Sequence, residues 1–350
     1  MRTQSGWILR TLAWLVLLAV LALGAVAAFA WQQHQRFVDT PLALPQPDLV
    51  VEVRRGDAFR RVVQRLREAG IDTGHELHWQ ALAWRMDVGH RIHAGEYRLQ
   101  AGITPPELLA KMARGEVVQY RFTLVEGWNF RELRQALAAN DVLVQRLPEL
   151  SDEALMAAID REGVHPEGRF LPETYQFTRG TSDVEILRRA NRDMERVLAA
   201  VWETRQPDLP IGSAEEALIL ASLIEKETGV PAERREIAGV FTRRLRIGMR
   251  LQTDPSVIYG MGDRYQGRIG RAGLDTDTPY NTYTRHGLPP TPIAMPGRAA
   301  IQAAVDPLDG DTLYFVSRGD GSHHFSRTLT EHNAAVRRYI LNRSRNRAGD

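Results

Sequence analysis

Residues 218–230 have the sequence LILASLIEKETGV, an apolar helical run that ends in two carboxylates, Glu225 and Glu227. At about 100° per residue, Glu227 continues the line of Ile219 and Leu223 along one face of the helix. Glu225 falls on a face with smaller side chains, about 200° away from Glu227. The two carboxylates therefore cannot act as a facing pair on this helix.

The residues around this run predict where the helix begins and ends. Ser213 and Glu216 form the S-x-x-E pattern of a capping box, which predicts a start at Ala214. Gly229, followed by Pro231, predicts the end of the helix.

Three effects are expected to raise the pKa of Glu227. Burial beside Leu223 and Ile224 disfavours the anion, and the carboxyl end of a helix carries negative partial charge. Repulsion from Glu225 adds to these effects, offset by Lys226. A carboxyl that stays protonated near neutral pH is what a general acid acting on a glycosidic oxygen requires. The spacing alone favours a solvated helix end but does not decide, so both interpretations remain open at this point.

The composition restricts the classes of function. Among 350 residues, 45 are basic and 43 acidic, and the net charge of +2 gives no bulk electrostatic support for a nucleic-acid partner. The chain contains no cysteine, which excludes thiol chemistry, disulfides and cysteine-ligated zinc.

An apolar segment near the N-terminus predicts a membrane span. Residues 11–31, TLAWLVLLAVLALGAVAAFAW, are long enough to cross the hydrocarbon core of about 30 Å. Arg2 and Arg10 precede the segment, so the positive-inside rule predicts a cytoplasmic N-terminus. A cleaved signal peptide is the competing interpretation, because AVA and AFA resemble cleavage sites. The length of the run favours an uncleaved anchor.

The rest of the chain predicts an α+β protein of several parts. A short cytoplasmic tail and the transmembrane helix occupy 1–35, and 36–48 form a Pro-rich linker containing PLALPQPD. Residues 49–118 predict a strand–helix–helix–strand module that resembles a LysM-type peptidoglycan-binding unit. A mixed α/β catalytic domain is expected over 119–345. Its C-terminal third is loop-rich, and the stretch 251–296 predicts a long ordered loop.

Five stretches together resemble the endolytic murein transglycosylase family, the bacterial glycan terminases. They are LVEGWNFREL (124–133), EGRFLPETYQF (167–177), ASLIEKETGVPAERREIAGVFTRRLRIGMRLQTDPSVIYGMG (221–262), TPYNTYTRHGLPPTPIAMPG (278–297) and YFVSRGDGSHHFSRTLTEHN (314–333). The sequence departs from the family pattern in SHHF, where a Gly usually precedes the His, and at Glu173, where Asp is common.

This resemblance implies a single-pass inner-membrane enzyme with a cytoplasmic N-terminus and a periplasmic catalytic domain. Such an enzyme cleaves the β-1,4 bond between N-acetylmuramic acid and N-acetylglucosamine within nascent peptidoglycan strands. It leaves 1,6-anhydro-N-acetylmuramic acid ends and terminates chain elongation. The implied partners are glycan strands and peptidoglycan synthases, and neither a cofactor nor a metal is expected. The catalytic glutamate of the family falls on Glu227, which is also the residue that the apolar line favours.

Further residues are candidates for the glycan cleft, because amides and phenols suit N-acetyl sugars. They are Gln252, Thr253, Asp254, Tyr280, Asn281 and Tyr283. Turn-forming and structural roles are the alternative for all of them, and for Asp254 this is an Asx-turn before Pro255. Glu167 and Glu173 are further candidates for the cleft wall. His323, His324 and His332 lack the helical H-E-x-x-H arrangement that would favour a metal site.

Two other functions are kept as alternatives. A hydrolytic muramidase requires a second carboxylate to position water, and Asp254 is the first candidate for it. A non-catalytic glycan-binding scaffold would recruit synthases through the anchor and the LysM-like module.

Overall fold

The computed structural model describes residues 4–341. Arg2 of the expected cytoplasmic tail and the expected domain end at residue 345 lie outside the described residues. The structure is mixed α and β with one apolar helix at the N-terminus, as the sequence predicts. The chain divides into two compact units, Met1–Tyr120 and Arg121–Asp350.

The first unit begins with helix α1 (Gln4–Asp39). Its part from Leu12 to Asp39 is long and apolar enough to cross a membrane, a property shared by anchors and signal sequences. The helix continues into the segment predicted as a linker. The residues that follow form no helix, as the prolines predict, but Leu42 is buried and donates its N–H to the carbonyl of Ile103 at 2.8 Å. This segment therefore packs onto the first unit.

The elements that follow in the first unit have the predicted strand–helix–helix–strand order. They are β1 (Leu49–Val53), α2 (Phe59–Glu68), α3 (Glu76–Arg85), β2 (Gly95–Leu99) and then α4 (Pro105–Ala113). The two strands pair antiparallel, with Leu49 opposite Leu99. Their buried side chains form one apolar core with those of the helices and with Phe37 of α1. The likeness of this module to LysM units stays a prediction.

From Tyr120 onward the chain is mainly helical, with short strands. The helices are α5 (Phe130–Ala138), α6 (Asp152–Ala158), α7 (Asp183–Glu203), α8 (Ala214–Glu227), α9 (Arg234–Arg246), α10 (Asp254–Met261), α11 (Arg271–Asp275), α12 (Arg298–Val305) and α13 (Leu329–Val336). The strands are β3 (Tyr120–Thr123), β4 (Thr174–Phe177), β5 (Tyr314–Ser317) and β6 (His323–Ser326). β3 pairs with β4, and β5 pairs antiparallel with β6.

Helix α8 forms the centre of the second unit. It begins at Ala214, as predicted, and the hydroxyl of Ser213 accepts the N–H of Glu216 at 3.1 Å. Every residue from Ala217 to Ile224 is buried among α7, α9 and α12, since a helix that is apolar on all sides must be covered on all sides. The helix ends at Glu227, because Thr228 is extended with φ of −144°. The predicted end point is therefore correct, but the helix does not end in a left-handed glycine at Gly229.

The stretch 251–296, predicted as one long loop, contains α10 and α11. Pro255 occupies the first turn of α10, where its missing N–H costs no helical hydrogen bond. The following Ser256 and Val257 are buried. The density of turn-forming residues concealed a helix start, and α10 brings residues 252–254 beside the end of α8.

Candidate active site

Glu227 is the last residue of α8 and is half-buried, at the boundary between the core and the surface. Its Oε1 accepts a hydrogen bond from the hydroxyl of Thr253. Thr253 is itself buried, and its N–H donates to the hydroxyl of Thr282 at 3.0 Å. The predicted residues Glu227 and Thr253 are thus in direct contact, and the carboxyl is held by a fixed donor.

Asp254 and Tyr283 form the more exposed part of the same cluster. The Tyr283 hydroxyl donates to Oδ1 of Asp254 at 2.6 Å. Gln252 precedes them with φ of +51°, a left-handed conformation that is uncommon for a residue with a side chain. The N–H of Gln252 donates to the carbonyl of Thr282 at 3.2 Å. Four of the predicted cleft residues therefore lie together beside Glu227.

The environment of Glu227 changes its acidity. Burial raises the pKa of Glu227 to about 7, and the negative charge of Asp254 adds to this rise. The hydrogen bond from Thr253 and the positive charges of His323 and Arg244 act in the opposite direction. A carboxyl with a pKa near 7 is divided between its acid and base forms at neutral pH, so it can both give and take a proton.

Glu225 has different neighbours from Glu227 and makes contacts that stabilise the fold. Its side chain is 6% exposed, and Oε2 accepts the N–H of Gly297 at 2.9 Å. The guanidinium of Arg234 lies 3.7 Å from its Oε1. Burial raises the pKa of Glu225, while the hydrogen bond from Gly297 lowers it. The two glutamates therefore face different partners, as their helical spacing predicts.

Two positively charged or protonatable groups border the site and were not predicted as part of it. Arg244 is buried, and its guanidinium donates to the carbonyls of Leu313 and Leu251, both at 2.7 Å. From the sequence, His323 is a candidate for a metal site only. No sequence pattern identifies either residue, because each is brought to Glu227 by the packing of α9 and the β5–β6 hairpin.

His323 is fixed by Glu233. Its N–H donates to Oε1 of Glu233 at 2.8 Å, and its ring Nδ1 lies 2.8 Å from Oε2. The hydroxyl of Thr228, the residue after Glu227, also donates to Glu233, at 3.2 Å. Burial raises the pKa of Glu233, but the hydrogen bonds from His323 outweigh it and hold the pKa below its usual value. This carboxylate ties the end of α8 to the hairpin.

Tyr280 and Asn281, the other two predicted cleft residues, have partners within the protein. The amide nitrogen of Asn281 donates to the carbonyls of Leu274 and Thr276, and its oxygen accepts the N–H of Tyr283. The Tyr280 ring packs edge-on against a neighbouring tyrosine, Tyr259, with centroids 4.8 Å apart. These contacts hold the loop in shape, and a role of either residue in glycan binding stays a prediction.

The two carboxylates predicted for the cleft wall differ in burial. Glu167 is 2% exposed, and its carboxylate accepts the N–H of Phe130 at 3.0 Å and the hydroxyl of Tyr259 at 3.0 Å. Burial raises the pKa of Glu167 to about 7. Glu173 is exposed and accepts the N–H of Thr174. Glu167 thus joins α5 to α10 from inside the unit.

The remaining histidines have aromatic neighbours. His332 stacks on Tyr314 with centroids 5.3 Å apart, and His324 lies 5.6 Å from the ring of Tyr339. Within residues 4–341, no group of three or more His, Cys, Asp or Glu side chains is arranged to hold a metal ion.

An open depression of about 700 Å³ lies next to the cluster. Arg250, Arg271 and Tyr283 line it, together with Thr284. Glu227 does not line this depression. Tyr283 does, and its hydroxyl donates a hydrogen bond to Asp254 in the cluster around Glu227. Taken together, the contacts make this cluster a candidate acid–base site, built around one protonatable carboxyl at the end of a buried helix.

Comparisons with known proteins identify the family to which this chain belongs. A profile of the YceG-like family matches residues 51–338. The endolytic murein transglycosylase of Bacillus subtilis (strain 168) is 31% identical over 270 residues, which cover 72% of this chain and 74% of that protein. The chain therefore belongs to the YceG-like family, and the family predicted from the sequence is confirmed.

Two further similarities agree with this assignment. The endolytic murein transglycosylase of Streptococcus pneumoniae serotype 2 (strain D39) is 25% identical over 373 residues, covering 94% of this chain and 65% of that protein. A crystal structure of a YceG-like protein from Listeria monocytogenes has a TM-score of 0.53 at 26% identity and covers 82% of this chain and 98% of that chain.

Proposed function

We propose that this protein is a membrane-anchored, endolytic peptidoglycan lytic transglycosylase whose catalytic residue is Glu227. The observation that carries the proposal is the Glu227 carboxyl, half-buried at the end of α8 with its pKa raised to about 7. The names of the Bacillus and Streptococcus relatives support the substrate, murein.

In the first step, protonated Glu227 gives its proton to the oxygen that links N-acetylmuramic acid C1 to N-acetylglucosamine C4. The C1–O bond breaks, and the N-acetylglucosamine end leaves with the new hydroxyl. Positive charge then develops on the muramic acid ring. The carboxylate side chain of Asp254, exposed beside Glu227, stabilises this charge through space.

In the second step, the 6-hydroxyl of the same muramic acid attacks C1. Glu227, now a carboxylate, takes the proton of that hydroxyl and returns to its starting form. The attacking group belongs to the substrate, so its effective concentration is high without a positioned water. One carboxyl therefore serves both steps, in contrast to glycosidases that need an acid and a separate nucleophile or base.

The proposed roles of the neighbouring groups follow from their contacts. Thr253 orients Glu227 through its hydroxyl, and Gln252 and Tyr283 border the position where a sugar would lie. We place the α1 span in the inner membrane with a cytoplasmic N-terminus and a periplasmic catalytic domain. The first unit, as a LysM-like module, would hold the glycan strand, and peptidoglycan synthases would be its partners.

Hydrolysis is the second candidate, because Asp254 supplies a second carboxylate near Glu227. The nature of the new glycan ends separates the candidates. We expect digestion of purified peptidoglycan by the full chain in detergent to yield 1,6-anhydro ends, detected by mass spectrometry. Reducing ends would indicate a muramidase, and the absence of any product would favour a non-catalytic scaffold.

The pH dependence of cleavage gives a second test. Because Glu227 must start protonated, the rate should fall about tenfold per pH unit above its pKa of about 7. Asp254→Asn removes a negative charge that raises this pKa, so the descending limb should move to lower pH. Thr253→Val removes a hydrogen bond that lowers it, so the limb should move to higher pH. Shifts in the same direction, or none, would contradict the assignment of the limb to Glu227.

A further inference from the structure

Helix α3 in the first unit exposes an apolar stripe. Leu77 is 66% exposed and Trp84 is 86% exposed, and Ala81 between them is also exposed. Their spacing of four and then three residues places them on one face of the helix. The opposite face, with Trp79, is buried in the core of the unit. An exposed apolar stripe that ends in a tryptophan is a candidate surface for contact with a membrane or another molecule.

The contacts between α3 and α1 orient this stripe. The ring of His78 lies 5.6 Å from His34 and 5.6 Å from Phe37 of α1, whereas Trp79 packs on Phe37 at 5.0 Å. Phe37 is three residues beyond His34, about 4.5 Å further along α1 from the apolar segment. Gly74, immediately before α3, lies against the Phe37 ring, whereas the charge of Arg85, the last residue of α3, acts on His34. Helix α3 therefore runs from the level of Phe37 towards that of His34, and Trp84 lies at the end of α3 nearer the apolar segment.

The distance along α1 places the stripe at the level of lipid headgroups. The apolar run 11–31 ends at Trp31, only one helical turn before His34. The headgroup layer extends roughly 5–7 Å beyond each side of the hydrocarbon core. Helix α3, about 10 Å in diameter and beside His34, reaches into this layer. Tryptophan favours the interface, and Arg85, exposed next to Trp84, suits lipid phosphates.

We propose that Leu77, Ala81 and Trp84 insert into the headgroup layer of the bilayer, next to the point where α1 leaves it. The first unit is thereby held flat on the membrane surface rather than suspended from α1. This inference rests on the membrane anchor of the proposed function.

The absence of cysteine from the sequence makes a direct test possible, since Ala81→Cys creates a unique thiol. The full chain is placed in vesicles of phosphatidylethanolamine and phosphatidylglycerol, and a nitroxide spin label is attached. Ala101→Cys is the matched control. Ala101 is exposed in the turn before Ile103, and the carbonyl of Ile103 accepts the N–H of Leu42, which lies beyond the end of α1. Power saturation then compares access of oxygen, which concentrates in lipid, with access of a water-soluble nickel chelate.

We expect a label at position 81 to have a several-fold higher ratio of oxygen to nickel access than a label at position 101. Adding Leu77→Ser and Trp84→Ser to the Ala81→Cys chain should abolish that difference. Equal ratios at positions 81 and 101, in chains that float with the vesicles, would contradict insertion of the stripe but not the membrane anchor. A difference that persists in the triple variant would also contradict insertion of the stripe. Failure of the chain to float with the vesicles would contradict both the membrane anchor and the insertion.

Discussion

Glu227→Gln is expected to lower the rate of glycan cleavage by about 10²–10⁴-fold, the range that general acid–base groups contribute. The substitution keeps the shape of the side chain and its acceptor for the Thr253 hydroxyl, but glutamine can neither give a proton to the glycosidic oxygen nor take one from the 6-hydroxyl. Because one carboxyl serves both steps, both are lost together. The rate of release of soluble glycan fragments measures the effect.

Glu225→Gln is the matched control for this variant. It lies two residues away on the same helix, and its contacts are with Gly297 and Arg234. Weakening a buried hydrogen bond to a charged group costs about 1–3 kcal/mol, so we expect lower stability with near wild-type activity per folded molecule. If Glu225→Gln is inactive while Glu227→Gln keeps its rate, the catalytic role belongs to Glu225.

Glu167→Gln is expected to remove about 3 kcal/mol of pH dependence from the stability of the fold. Burial raises the pKa of Glu167 from 4.5 to about 7, and each pKa unit corresponds to about 1.4 kcal/mol. Below pH 4.5 the carboxyl is protonated in both states. Between 4.5 and about 7 the unfolded chain releases the proton and the folded chain keeps it, so stability falls. Above 7 both states are ionised, and the loss is complete.

The measurement is the free energy of unfolding of the full chain in detergent, by urea, at the two ends of this pH range. Glu167 contributes a loss of stability as the pH rises, so we expect Glu167→Gln to gain about 3 kcal/mol relative to the wild type across the range. Tyr259→Phe should steepen the loss instead, because the Tyr259 hydroxyl donates to Glu167 and lowers its pKa. A difference between Glu167→Gln and wild type that does not change with pH would refute the raised pKa.

The parts of the fold that were predictable depend on local sequence. The hydroxyl of Ser213 binds a backbone group three residues away, and the start of α8 follows from that short-range contact. The orientation of Glu225 and Glu227 follows from helical geometry alone. The helix α10 was missed because its Pro255 also fits a turn, and only the burial of its apolar face decides between them.

The parts of the site that were not predictable depend on contacts between distant residues. Glu233 and His323 are 90 residues apart, and no spacing rule joins them. Asn281 had the residue type expected of a sugar ligand, yet both groups of its amide are used within its own loop. Residue type identifies chemistry that is possible, whereas the packing decides which groups remain free to perform it.

The most direct test of the account is cleavage of peptidoglycan in water enriched in oxygen-18, by the wild type and by Glu227→Gln. If the 6-hydroxyl is the attacking group and Glu227 is its acid and base, the wild type produces anhydro ends that contain no solvent oxygen. Glu227→Gln then produces almost none. An increase in labelled reducing muramic acid ends over a sample without enzyme, whose existing ends exchange their anomeric oxygen with solvent, would contradict the mechanism. Anhydro ends formed equally by the variant would contradict it too.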